Sequence, residues 1–150
     1  MPKHIVSGLK YLATIELRKK GYNQNQIAET LGMNRSTVSH YLNGRNISLH
    51  SIEVAETIME LCPKDSLAMV YSLFKDKNHT RTLVQICSNN KFKSNVKSSC
   101  IACGICVDAC MTNAIVLDDL KAKINNDFCC GCLICGEICP TNSINITEVK

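Results

Sequence analysis

Nearly all of the reactive side chains in this sequence sit in two cysteine runs. Cys100, Cys103, Cys106 and Cys110 follow the spacing C-x2-C-x2-C-x3-C, and Cys129, Cys132, Cys135 and Cys139 repeat it 29 residues later. Nine of the eleven cysteines fall between Cys100 and Cys139. Such density means either a disulfide framework in an oxidising compartment or metal ligation by thiolates in a reducing one. The stretch after Met1 is amphipathic and shows no cleavage-site pattern, so the cytoplasm is the expected location and metal ligation the expected chemistry.

The repeat extends beyond the ligands. "CIACGICVDACMTNAIVL" from Cys100 aligns without a gap with "CCGCLICGEICPTNSINI" from Cys129. This stretch resembles the bacterial-type two-cluster ferredoxins over about fifty residues. The resemblance implies two [4Fe-4S] clusters, with each fourth cysteine crossing to the other cluster. Cluster I then takes Cys100, Cys103, Cys106 and Cys139, and cluster II takes Cys129, Cys132, Cys135 and Cys110. Three thiolates two residues apart wrap three corners of a cube from one tight loop, and a short helical turn carries the fourth away. Gly104, Gly131 and Gly136 let the backbone approach the sulfurs. Met111 stands where the family often has proline, whereas Pro140 keeps that pattern. The competing chemistry is a pair of zinc sites, since C-x2-C pairs also bind zinc. Cys130 lies outside the pattern and reads as a small side chain near the cluster, or else as a substitute ligand. Cys62 and Cys87 fall on apolar helix faces and read as buried structural thiols.

The elements ahead of these runs are helical. Ile5, Leu9, Leu12, Ala13 and Leu17 share one face of a helix over 3–20, which Gly21 ends. Asn23 caps the next of two short helices, 24–31 and 35–43. Longer amphipathic helices follow over 49–61, stopping before Pro63, and 65–76, the latter with Leu67, Val70, Tyr71 and Phe74 inward. A weaker helical stretch covers 80–87. Ser88–Ser99 is polar and basic and reads as a linker or a short leading strand. Beyond it, "IVLDDLKAKIN" predicts a β-hairpin turning at Asp118–Asp119–Leu120. The expected fold class is α+β: a helical domain over 1–88, a linker over 89–99 and a small domain of hairpins and helical turns over 100–150.

The two short helices carry a second pattern. Ile27, Ala28, Leu31, Gly32, Met33, Val38, Tyr41 and Leu42 occupy the positions where a helix-turn-helix needs apolar, small and turning residues. Asn34 or Arg35 opens the second helix with the capping-type sequence N-R-S-T. Residues 22–45 therefore resemble the helix-turn-helix domains of bacterial and archaeal regulators. That resemblance makes 35–43 the recognition helix, presenting Arg35, Ser36, Thr37, Ser39, His40 and Asn43, with Arg45 beside them. Arg35 suits a guanine edge, Ser36 and Thr37 a phosphate or base edge, and Arg45 with Arg18, Lys19 and Lys20 the phosphate backbone. The alternative is a helical module for protein contacts or dimerisation whose polar face is merely solvated.

Charge follows the same division. Residues 1–51 hold seven Lys and Arg against Glu16 and Glu29, a net +5, while residues 100–150 hold three Lys against six acidic residues, a net −3. Two oxidised clusters would make the rear more anionic by about four charges. A basic front suits a polyanion such as double-stranded DNA. No apolar run reaches a membrane span, and no catalytic pairing or phosphate-binding glycine loop occurs. The whole chain looks like the helix-turn-helix–ferredoxin fusions of anaerobic prokaryotes. It reads as a non-enzymatic, DNA-binding regulator that depends on or responds to its clusters through redox state, oxygen or iron supply. A ferredoxin-type electron carrier with a helical docking domain, and a nucleic-acid binder with purely structural clusters, are the alternatives. A homodimer and a redox partner protein are further partners that these readings allow.

Overall fold

A computed structural model describes residues 3–88 and 91–149. The chain divides into two compact units: residues up to Leu61 with Ser66–Ser88, and Asn89 onward with Cys62–Asp65.

The first unit is all helical. Helix α1 (Lys3–Lys19) buries Leu9, Ala13 and Leu17 along one stripe and places Arg18 and Lys19 in its last turn, where cations suit the helix dipole. Gly21, at φ +91°, ends it. Ile5 and Leu12, expected on the same inward face, are half-buried. Thr14 is fully buried within α1, and its hydroxyl donates to the Lys10 carbonyl at 2.8 Å. Helix α2 (Gln24–Leu31) opens with a reciprocal cap: the Asn23 side chain accepts from the Gln26 N–H at 2.9 Å, and the Gln26 side chain accepts from the Asn23 N–H at 3.0 Å. Helix α3 (Arg35–Leu42) follows a turn at Gly32.

Helix α4 (Leu49–Glu60) is capped by Ser48, and α6 (Lys77–Cys87) by Asp76. Helix α5 (Pro63–Phe74) begins two residues earlier than the pattern predicts. Proline has no N–H to lose at a first helical position, so it starts this helix as well as ending the region of the previous one. Leu67 and Val70 turn inward, but Tyr71 is exposed, which corrects its expected place on the apolar face. Helix α1 packs against α4 and α6, and full burial of a large side chain such as Leu9, Ile27 or Val70 contributes roughly 1.5–3 kcal/mol.

Cys62 departs from expectation. It is exposed between α4 and α5, and its thiol donates to Asp65 Oδ2 at 3.1 Å. The apolar period of α4 ends before it, because the helix stops at Glu60. Cys87 is buried as expected, and burial pushes its thiol up to about 12.

The second unit consists of two antiparallel strand pairs and two short helices. Strand β2 (Ile115–Asp118) pairs with β3 (Lys121–Ile124) through the expected turn, where Asp119 and Leu120 adopt positive φ. Strand β1 (Lys91–Val96) lies in the segment read as a linker or leading strand, and it pairs with β4 (Ile144–Val149) from Lys91↔Val149 to Val96↔Ile144. Asn89 and Asn90 of that segment lie outside the described residues. Helices α7 (Ile105–Ala109) and α8 (Ile134–Ile138) occupy equivalent places in the two repeats. The buried centre is small: Cys106, Ala114, Ile115, Ala122 and Cys135, flanked by half-buried residues such as Ile124 and Ile144. Two of those five are predicted ligands, so part of this unit's packing depends on its thiols.

Candidate metal centres and recognition helix

The two cysteine loops have matching backbones. Positive φ recurs at Ala102 and Gly131, at Gly104 and Leu133, and at Asn113 and Asn142, each pair separated by the repeat offset. Each loop makes the same left-handed bends around the place where its thiols point. One copy uses glycine at the first bend and the other at the second, so Ala102 and Leu133 each carry strain of about 1–2 kcal/mol.

Two cavities lie against these loops. The first is lined by Cys100, Cys103, Cys106 and Cys139. The second is lined by Cys110, Cys129, Cys132 and Cys135, with Cys130 also at its wall. Each cavity thus brings three cysteines of one run together with the last cysteine of the other. Isoleucine, leucine and alanine side chains make up much of the remaining walls.

Backbone donors point at the sulfurs. Ser143 N–H donates to Cys139 Sγ at 3.3 Å, and Ala114 N–H donates to Cys110 Sγ at the same 3.3 Å. Ala122 N–H reaches Cys100 Sγ at 3.5 Å. The Thr112 and Thr141 hydroxyls lie 3.5 and 3.6 Å from Cys110 and Cys139. Donors of this kind favour the thiolate that a metal requires. Thus the Ser143 N–H, helped by the Thr141 hydroxyl, holds the Cys139 thiol down at about 7. A bond from the Cys130 thiol holds the Cys132 thiol below its usual range, while burial pushes Cys135 up to about 12.

These residues fit a pair of iron–sulfur cubes. Among the described residues, no three His, Cys, Asp or Glu side chains gather tightly enough for one metal ion; the thiols surround a space instead. A mostly apolar pocket with four thiols and inward N–H groups suits a cluster with sulfides of its own.

The helical unit arranges its polar residues on α3. Ile27, Ala28 and Leu31 of α2 are buried, as are Val38 and Tyr41 of α3, and Gly32 turns the chain at φ +62°. The Tyr41 ring meets Tyr11 of α1 edge-on, with centroids 6.1 Å apart. Arg35, Ser36, Asn43 and Arg45 are exposed, and Thr37, Ser39 and His40 are half-buried. Asn34 stands at the cap position, but its side chain makes no capping bond there. Asn43 donates from Nδ2 to the Ser39 carbonyl at 2.9 Å, which engages part of its polar end within the helix.

Reading by cysteine spacing passes over Phe92, Ala114, Ala122 and Ser143. The alternating burial of "KFKSNV" is the signal for Phe92, because every second residue of β1 turns inward. Ala114 and Ser143 occupy matching places in the repeat, but a backbone donor leaves no mark in residue type.

A helix-turn-helix unit followed by a paired-loop dicluster unit defines the class: a helix-turn-helix protein fused to a 4Fe-4S ferredoxin domain. Residues 15–61 match the helix-turn-helix family, and residues 99–143 match the 4Fe-4S dicluster domain. The chain is 37% identical over 127 residues to the ferredoxin-type protein FwdE of Methanocaldococcus jannaschii, covering 85% of this chain and 84% of that protein. The chain belongs to that ferredoxin-type family, and its cofactors are two 4Fe-4S clusters. No solved structure matches it. Among the described residues, no helix is long and apolar enough to cross a membrane.

Proposed function

We propose that this protein is a DNA-binding transcriptional regulator whose activity depends on or responds to its two clusters. The observation that carries the reading is the presence, in one chain of 150 residues, of a helix-turn-helix whose second helix opens on exposed Arg35 and Ser36, together with a dicluster domain. Cys100, Cys103, Cys106 and Cys139 hold cluster I, and Cys129, Cys132, Cys135 and Cys110 hold cluster II. The two cavities support this division. Arg35, Ser36 and Thr37 meet base edges or phosphates from the start of α3, and Ser39, His40, Asn43 and Arg45 extend the contact. A homodimer would set two such helices one DNA turn apart. Cys106 and Cys135 stand among the five central buried residues of the dicluster unit, so cluster loss removes part of what folds it. That makes cluster state a large conformational signal in the cytoplasm.

The test is selection of duplexes from a random pool by the anaerobically purified holo-protein. Enrichment of one motif, with affinity falling as salt rises, supports the reading. Absence of any enriched motif, together with reversible one-electron reduction, favours an electron carrier instead. The ferredoxin-type description of the relative is the observation behind that alternative.

A further inference from the structure

The two halves of the dicluster unit share a backbone but not a covering. In the second half, the ring of Phe92 lies directly on Gly131, between ligands Cys129 and Cys132. A Cβ at Gly131 would fall 2.3 Å from ring atoms, so only glycine admits the ring there. Phe92 is 7% exposed, and neighbouring Cys130 is 6% exposed. The strand that carries the ring is fixed on both edges. Strand β1 pairs with β4 along its whole length, and Ser94 binds Asn126 Oδ1 through both its N–H and its hydroxyl, at 3.0 and 2.6 Å.

The first half is covered differently: Leu117 meets its loop at Gly104, 3.5 Å from where a Cβ would stand. Ile115 and Ile144 are repeat mates, and they pair with Ile124 and Val96, so the register counterpart of Phe92 is Leu120. Leu120 sits at the hairpin tip and is 87% exposed. The counterpart of buried Cys130 is Ile101, which is 63% exposed. Cys103 is exposed, whereas its mate Cys132 is half-buried.

We propose that Phe92 shelters cluster II, so that cluster I alone is the site where a small oxidant, dioxygen, attacks first. The step balances as [4Fe-4S]²⁺ + O₂ → [3Fe-4S]⁺ + Fe²⁺ + O₂•⁻: one iron(II) leaves and dioxygen takes one electron. The corner held by the exposed Cys103 is the one that opens, and its thiolate is left free. This inference rests on the ligand sets proposed above and names which of the two clusters responds.

The test is limited exposure of the holo-protein to air, followed by thiol alkylation and peptide mass mapping. Iron analysis beforehand must give about eight atoms per chain. A smaller count with uniform alkylation would overturn the ligand sets themselves, which separates that failure from failure of the shelter. In the native protein, Cys103 and then its cavity partners are expected to be alkylated at least about fivefold faster than Cys110, Cys129, Cys132 and Cys135. Phe92→Ala should bring the second set up to the rate of the first, and Phe92→Tyr, which keeps the ring, should restore the difference. If Phe92→Ala lacks cluster II before exposure, Phe92→Leu supplies the graded comparison. Equal rates for the two sets in the native protein would overturn the proposal. So would a Phe92→Ala or Phe92→Leu variant that leaves the second set as slow as before.

Discussion

Gly8 of α1 lies against the Ser51 carbonyl of α4 so closely that a Cβ at Gly8 would fall 2.3 Å from that oxygen. The same added carbon would stand 3.1 Å from the Ala55 side chain. Both residues it meets are buried, so neither helix can yield without disturbing the core. Gly8→Ala should therefore destabilise the helical unit by roughly 1–3 kcal/mol. The sign is diagnostic, because in an open helix the same change stabilises by about 1 kcal/mol. A lower urea midpoint for the variant is the expected result.

That glycine also shows where reading from sequence stops. Helical periodicity identifies the buried stripe of Leu9, Ala13 and Leu17, because each residue type answers to a 3.6-residue repeat. Nothing local marks Gly8, since its reason lies in a helix some forty residues away. Cysteine spacing marked the two matching loops of the dicluster unit, and the resemblance to two-cluster ferredoxins implied that each fourth cysteine crosses over. The β1–β4 pair was not legible in the same way: a polar strand between an all-helical unit and a cysteine loop resembles a linker until its partner is known. Cys62 misled for a related reason, because the helix bearing the apolar period ends before it. The helix-turn-helix was legible because its constraints are local, a small Ala28 and a left-handed Gly32 within one turn of each other.

Crossed ligation has a clean genetic test. Cys100→Ser with Cys139→Ser should empty one site and leave about four iron atoms per chain. Cys100→Ser with Cys110→Ser strikes both sites and should leave few or none. If each run held its own cluster, the second pair would retain about four and the first would lose both. Iron analysis of anaerobically purified protein distinguishes the two patterns.

Asp76 gives the helical unit a pH dependence of known sign. The His79 ring and the Asn78 N–H hold its carboxyl below the usual carboxylate range. A depressed folded-state pKa stabilises above the unfolded value, and that stabilisation is lost as pH falls through the folded one. The melting temperature of the helical unit should therefore drop as pH falls below about 4. Asp76→Asn keeps a cap for α6 but removes the titrating group, so its melting temperature should fall less steeply over that range.

On DNA, the two arginines should differ in kind. Arg35→Ala should cost about 1–3 kcal/mol and relax preference at one base position, as expected of a side chain at the start of a recognition helix. Arg45→Ala should weaken all sequences alike and reduce the slope of log affinity against log salt by about one. Competition binding with single-base variants of the selected site separates these outcomes.

The most direct test of the central claim is fluorescence anisotropy under anaerobic conditions, on the selected duplex, with holo, reduced and cluster-free protein compared across a salt series. Affinity that differs at least about tenfold between cluster states, about 1.4 kcal/mol, is the predicted result. Equal, tight binding in every state would contradict it and leave the clusters as structural parts of a DNA-binding protein.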